Sequence, residues 1–210
     1  MGWRKTLMGA LVVGAVGFTA GRVFSQDAKP GDKPPSPEDA QKMQKMMEEM
    51  GKPAKQHEQI AASAGEWDSE WKLWMQPGAE PATTKGSIST KSVCNGLWML
   101  GHHNGEMMGK QFDGYEIFGY DKEKKQYFGV WACSLGTVPE VVWGTSDDDG
   151  KTITLIGTET TCCGMTYTPK WVIKNDDADH STFEHWSKSA MTNNEYFKEM
   201  EIHSTRRAAK

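Results

Sequence analysis

Gly65-Glu66-Trp67-Asp68-Ser69-Glu70-Trp71-Lys72-Leu73-Trp74-Met75 alternates with a period of two. Trp67, Ser69, Trp71, Leu73 and Met75 fall on one face and Asp68, Glu70 and Lys72 on the other, the signature of a strand with one buried side. Pro77-Gly78 ends the run. Segments of the same kind recur at 83–93, 97–104, 112–120, 127–135, 141–146, 152–159, 166–174, 181–187 and 196–205. Turn-forming residues separate several of them, at Asn95-Gly96, 121–126, 147–150 and 175–180. About ten short strands with short links and no helix between them predict an antiparallel up-and-down meander, which removes its edges by closing into a barrel. The fold class is therefore mainly β, a closed antiparallel barrel over 65–207. Glycines inside strands, at Gly101, Gly119, Gly129 and Gly144, suit the bends that closure requires.

Ahead of the strands, one or two helices are expected over 38–64. Ser36 is an N-cap, Pro37 suits the first helical position, and Asp39 completes a spacing like a capping box. Met43, Met46, Met47 and Met50 share one helical face. A flexible apolar face packed on the end of the barrel explains this stripe better than a copper-binding methionine motif. Gly51 and Pro53 stop the helix, and a second covers 55–64. The helices lead into the first strand at one end, here the bottom, and are expected to plug it. Strand parity then puts the links 76–82, 105–111, 136–140, 160–165 and 188–195 at the top. They are longer than the bottom turns, and function sits on loops held by a rigid scaffold, so the binding mouth is expected there.

The first 25 residues read as a secretory signal peptide: Arg4 and Lys5, an uncharged run from Thr6 to Ala20, then Val23-Phe24-Ser25 ahead of Gln26. The apolar run of about fifteen residues is short of the roughly 20 that span a bilayer. An uncleaved membrane anchor is the rival reading, and contact with a membrane is expected only in that case. Residues 26–37, with four prolines and almost nothing apolar, read as a disordered tether. The chain is thus expected to be exported, to the periplasm or the extracellular space. Removing the signal's three basic residues takes the formal net charge from −4 to −7. That balance, with no basic stripe, argues against nucleic acid as a partner.

Adjacent strand residues face opposite sides, so one of His102 and His103 points into the barrel and the other out. They form either a polar pair at a strand end or, through the inward ring, a contact to a ligand, a metal or a haem. Haem proteins built on ten-stranded barrels with an axial histidine offer an analogy at the level of fold alone. Cys133, Cys162 and Cys163 lie at the top and Cys94 at the bottom. In an exported protein the favoured reading is a disulfide from Cys133 to Cys162 or Cys163. The strands concerned are second neighbours, roughly 10 Å apart, and a disulfide needs Cα atoms within about 7 Å, so the loop must lean inward. The alternative is a copper or zinc site built from Cys133, Cys162, Cys163, His102 or His103, Met107 and Met108, for which no CxxC or HxxxH spacing speaks.

Tryptophans are the remaining signal. Trp71, Trp131, Trp143 and Trp171 lie on predicted strands, and the polar flanks of Trp171 point it inward. With His102, His103, Met107 and Met108 they are the candidate lining of an interior that either is filled by side chains or holds one small apolar or amphipathic ligand. Catalytic motifs are absent: there is no GxSxG, no phosphate-binding glycine loop and no HExxH. Glu184 and His185 face opposite sides of one strand and make a poor acid–base pair, so an enzyme would need a site built from residues distant in sequence, which stays the third reading after a ligand-binding and a metal- or haem-binding protein.

One set of residues also carries a resemblance: His57, Gly65-Glu66-Trp67, Trp74-Met75-Gln76-Pro77-Gly78, Pro81, Gly105-Glu106-Met107-Met108-Gly109, Phe112-Asp113-Gly114 and Gly119-Tyr120-Asp121. In this spacing the chain resembles the bacterial domain-of-unknown-function family 1579, from roughly Met47 to Arg206. The resemblance implies a calycin-like, lipocalin-type barrel, in agreement with the meander, and implies no activity. At Gly96-Leu97-Trp98 the chain departs from the family's glycine followed by arginine and an aromatic residue.

Overall fold

The computed structural model describes residues 36–107, 109–146, 150–162 and 164–208. The expected signal peptide, nearly all of the expected tether, Met108 and Cys163 lie outside the described residues. Two compact units divide between Gln44 and Lys45. The described part of the first is the start of helix α1 (Pro37–Met50). The expected cap is formed there: the Asp39 amide donates to Ser36 Oγ at 3.2 Å, and the Ser36 hydroxyl and amide both donate to Asp39 Oδ2.

The second unit holds the end of α1, helix α2 (Lys55–Ala62) and the sheet. Its strands are β1 (Gly65–Leu73), β2 (Ala82–Val93), β3 (Trp98–Met107), β4 (Lys110–Asp121), β5 (Gln126–Cys133), β6 (Glu140–Ser146), β7 (Thr152–Gly157), β8 (Thr160–Cys162), β9 (Met165–Asn175), β10 (His180–Ser189) and β11 (Tyr196–Arg206). Each pairs antiparallel with its neighbour, and closure comes from two ladders, β9 with β10 and β11 with β1. Tyr167 of β9 faces Thr160 of β8 on one side and Ser189 of β10 on the other, so the three-residue β8 prolongs the β7 side of the wall. The result is a ten-stranded closed barrel, as the period-two segments predict.

Burial alternates along the strands, most cleanly in β1, where Trp67, Ser69 and Trp71 are buried between exposed Glu66, Asp68 and Glu70. The inward apolar residues form two clusters, one around Met99, Phe118, Tyr127, Val142, Leu155 and Trp171, the other around Trp67, Trp71, Ile88, Phe112 and Ile202. Several strand glycines have a role other than bending. A Cβ on Gly129 would stand 2.4 Å from Trp171, one on Gly114 2.4 Å from Trp131, and one on Gly86 3.0 Å from Trp71. Each of these three indoles therefore lies over a glycine of a nearby strand.

The helices do less at the bottom than their position predicts. α2 contacts β2, β3 and β4 through buried His57 and Ile60, with His57 edge-on to Tyr120. Within the second unit Met46, Met47 and Met50 are 51–55% exposed, and Met43 of the first unit is exposed as well. The methionine stripe is therefore not packed away as expected. α1 is held at its end instead by hydrogen bonds, with Lys122 Nζ donating to the carbonyls of Glu49 and Lys52.

Candidate functional site

The barrel interior contains a cavity of about 700 Å³. Its wall includes Trp71, Phe112, Trp131, Trp171 and Phe183 in the middle and Met107, Cys133 and Leu135 toward the top. Beside α2 it continues down to Gln59, Lys151 and Asp177. This volume falls in the range of small-molecule sites, which are mostly apolar with a few placed polar groups.

The polar groups form a belt that follows the inter-strand pairing. Gly101, Glu116, Trp131 and Glu140 are successive register partners across β3, β4, β5 and β6. Trp171, His185 and Met200 are successive partners across β9, β10 and β11. Glu140 joins the two arcs. Its carboxylate accepts from the Tyr167 hydroxyl at 2.8 Å, the Trp171 indole N–H at 3.0 Å and His185 Nε2 at 3.1 Å. The other ring nitrogen of His185 stands 3.3 Å from Glu199, whose second oxygen accepts from the Ser187 hydroxyl at 2.5 Å.

Two carboxylates thus bracket one buried imidazole. Burial alone pushes the His185 pKa down, but the hydrogen bonds and charges of Glu140 and Glu199 outweigh it, and the pKa is raised to about 9. Burial likewise pushes Glu140 and Glu199 up; their bonds to His185, and those of Glu140 to Tyr167 and Trp171 and of Glu199 to Ser187, hold both below the ordinary value. Tyr167 is driven up by burial and by the adjoining Glu140 charge. An ion pair with every oxygen and both ring nitrogens engaged is the form in which buried charge is tolerated.

A second imidazole pair lies on the opposite arc. His103 Nε2 is 3.3 Å from Glu116 Oε2, and the ring meets Trp131 edge-on at 4.9 Å. The His103 side chain is 12% exposed, and its Nδ1 is buried without a hydrogen-bond partner. Gly101 makes room for the pair, since a Cβ there would come within 3.2 Å of His103 and 3.3 Å of Glu116.

The predicted residues divide between the two faces of the wall. Trp71, Trp131, Trp171, His103, Met107 and Cys133 line the cavity. His102 faces out, stacked on Tyr115 at 4.5 Å and bonded to Asp113 at 2.5 Å. Trp143, expected in the lining, is outside: Val142 is fully buried, so its neighbour projects outward, where it packs on Phe128 under Lys124. The expected disulfide from Cys133 is not formed. Cys133 is a free thiol turned into the cavity, and β6 separates its strand from the β7–β8 side that carries Cys162. Two ladder spacings, roughly 10 Å, exceed the reach of a disulfide. Of the alternative metal set of His102, His103, Cys133, Cys162 and Cys163, Cys163 lies outside the described residues and His102 faces away from His103 and Cys133; no group of three or more His, Cys, Asp or Glu side chains is arranged to hold a metal among the described residues.

Glu116, Glu140, Tyr167 and Glu199 are polar residues that sequence reading left out, and His185, set aside there beside Glu184, pairs instead with Glu140 and Glu199. Glu140 and His185 could have been found by extending parity: Glu140 shares a face with Val142 and His185 with Phe183.

With the barrel and its interior described, comparison with known proteins adds the following. The pattern of the family described as "Protein of unknown function (DUF1579)" matches residues 52–206. The chain belongs to this family. No curated protein matches it in sequence. Among solved structures it is similar to Rv2717c from M. tuberculosis, at 13% identity and a TM-score of 0.54, over 75% of this chain and 100% of that one. It is also similar to the S-type phycobiliprotein lyase CPES from Guillardia theta, at 14% identity and a TM-score of 0.54, over 78% of this chain and 98% of that one. At such identities the likeness carries the fold alone.

Proposed function

We propose that this DUF1579 barrel binds a small apolar or amphipathic molecule in its interior. The observation that carries the reading is the unfilled volume: about 700 Å³ remains in a barrel whose inward side chains include four tryptophans and three phenylalanines. A ten-stranded barrel can be packed solid or can hold one ligand, and the residual space supports the second. Burying an apolar body there gains roughly 25 cal/mol for each Å² removed from water.

Titration with the neutral probe N-phenylnaphthylamine tests this. Excitation of tryptophan should sensitise the probe's emission, saturably and at one site per barrel, and a Trp131→Leu variant should weaken the sensitised signal. Emission that rises linearly without saturation would refute the reading.

We further propose that the protein is exported, on the strength of Arg4-Lys5, the apolar run to Ala20 and Val23-Phe24-Ser25. N-terminal sequencing of protein from its own host tests it. A mature start at Gln26 is expected, and a chain recovered intact from the cytoplasm would overturn it.

A further inference from the structure

The interior belt is one-sided in its hydrogen-bonding chemistry. Glu116, Glu140 and Glu199 present carboxylate oxygens, which only accept. Their donors are already spent within the protein: the Tyr167 hydroxyl and Trp171 indole on Glu140, both nitrogens of His185 on Glu140 and Glu199, and the Ser187 hydroxyl on Glu199. His103 extends the pattern. Because a carboxylate cannot donate, the ring proton at the Glu116 contact belongs to Nε2, and in the neutral ring Nδ1 is left with a lone pair. That atom is buried and has no partner among the described residues. A buried polar atom without a partner is costly, and a ligand group that bonds to it removes the cost.

Charge points the same way. Three carboxylates stand against two imidazoles at the belt, His185 and His103, so the excess there is negative in either form of His103. The cations that reach the cavity stand apart, at the bottom. Lys151 is exposed there, and the Arg206 guanidinium is consumed by the carbonyls of Ala62, Ala64 and Ala178 and by stacking on Trp67. Among the described residues the belt's donors are all engaged, so none is free for an incoming carboxylate, and its field repels one.

Resting on the reading of the barrel as a ligand carrier, we infer that its interior selects amphiphiles whose polar end donates hydrogen bonds, a protonated amine first and a hydroxyl second, and discriminates against carboxylates. The apolar body lies along the indoles of Trp71, Trp131 and Trp171, and the donor end meets the oxygens of Glu116, Glu140 or Glu199 and Nδ1 of His103.

The test uses the full chain and three probes that share one alkyl body: decylamine, decanol and decanoate. Binding is followed by tryptophan fluorescence and calorimetry at pH about 8, where alkylamines are protonated, carboxylic acids are ionised and His185 is still charged. Decylamine should bind at least roughly tenfold more tightly than decanoate, as expected of one charge-assisted hydrogen bond, with decanol between them. Glu199→Gln, at the partly exposed end of the belt, should narrow the gap between amine and carboxylate. His103→Phe should weaken decanol severalfold and leave decanoate unchanged. Equal affinities for the three probes, or a preference for decanoate, would overturn the inference while the barrel remains a carrier. Failure of all three to bind would remove both. An amine preference that survives Glu199→Gln and Glu116→Gln together would also count against it, because the selectivity would then come from elsewhere.

Discussion

Raising the pH from about 6 to about 9.5 takes the ordinary imidazole and the shifted one from charged to neutral, and so isolates what the His185 cluster contributes to folding. In the folded barrel His185 titrates near 9 against an ordinary 6.5, because Glu140 at 3.1 Å and Glu199 at 3.3 Å favour its charged form more than burial opposes it. A folded pKa raised above the unfolded one means stability fully present below the unfolded value and lost as pH climbs through the folded one. The difference between 6.5 and about 9 corresponds to roughly 3 kcal/mol, which is large against a total stability of about 5–15 kcal/mol. The assay is urea unfolding followed by tryptophan fluorescence, on the native sequence and on His185→Gln, at both pH values. Titrating groups that do not contact His185 are common to the two proteins and cancel in the difference. The native barrel should lose about 3 kcal/mol more than the variant across this window. Parallel losses in the two proteins, or a native barrel that gains stability toward pH 9.5, would refute the assignment of His185 as a buried imidazolium. On the acid side the direction reverses. Glu140 and Glu199 are held below their ordinary values, so their contribution is present above that value and disappears as pH falls through the folded one.

Three further outcomes follow from the geometry. Gly144→Ala should destabilise the barrel by about 1–3 kcal/mol or more, because the new methyl would stand 1.8 Å from the Thr154 carbonyl oxygen, while Gly136→Ala, with nothing within 4 Å, should be near neutral in thermal unfolding. Ligand-induced changes in fluorescence should persist in Trp143→Phe, whose indole lies outside, and shrink in Trp171→Phe, whose indole is 2% exposed and inside; equal loss in both would contradict the strand parity of β6. Arg206→Gln should cost about 2–4 kcal/mol in urea unfolding, since it removes charge-assisted bonds to the carbonyls of Ala62, Ala64 and Ala178 and the stack on Trp67.

Alternation of apolar and polar residues every second position is a local property of the chain, and it made the strands, their turns and the barrel legible without coordinates. The same locality explains the cap of Ser36 on Asp39, and the prediction that His102 and His103 face opposite ways. Trp143 was expected in the lining, and only the observed burial of its neighbour Val142 puts it outside. The Glu140–His185–Glu199 cluster is different in kind. Its members come from β6, β10 and β11, and Glu140 and His185 are 45 positions apart. Parity can turn Glu140 and His185 inward, but no spacing in the chain announces that they meet each other and Glu199. Likewise, strand glycines looked like bends from sequence, whereas Gly86, Gly114 and Gly129 leave room for indoles contributed by other strands.

The sequence by itself determined that the chain makes a closed meander and which alternate residues share a face, because backbone pleating repeats every two residues whatever lies across the sheet. Tertiary structure alone decided how the ring closes, β9 on β10 and β11 on β1, and with it which distant side chains meet inside and how much space they leave. Closure and register are collective properties of all the ladders, so the acceptor belt and the cavity of about 700 Å³ exist only once every strand is in place.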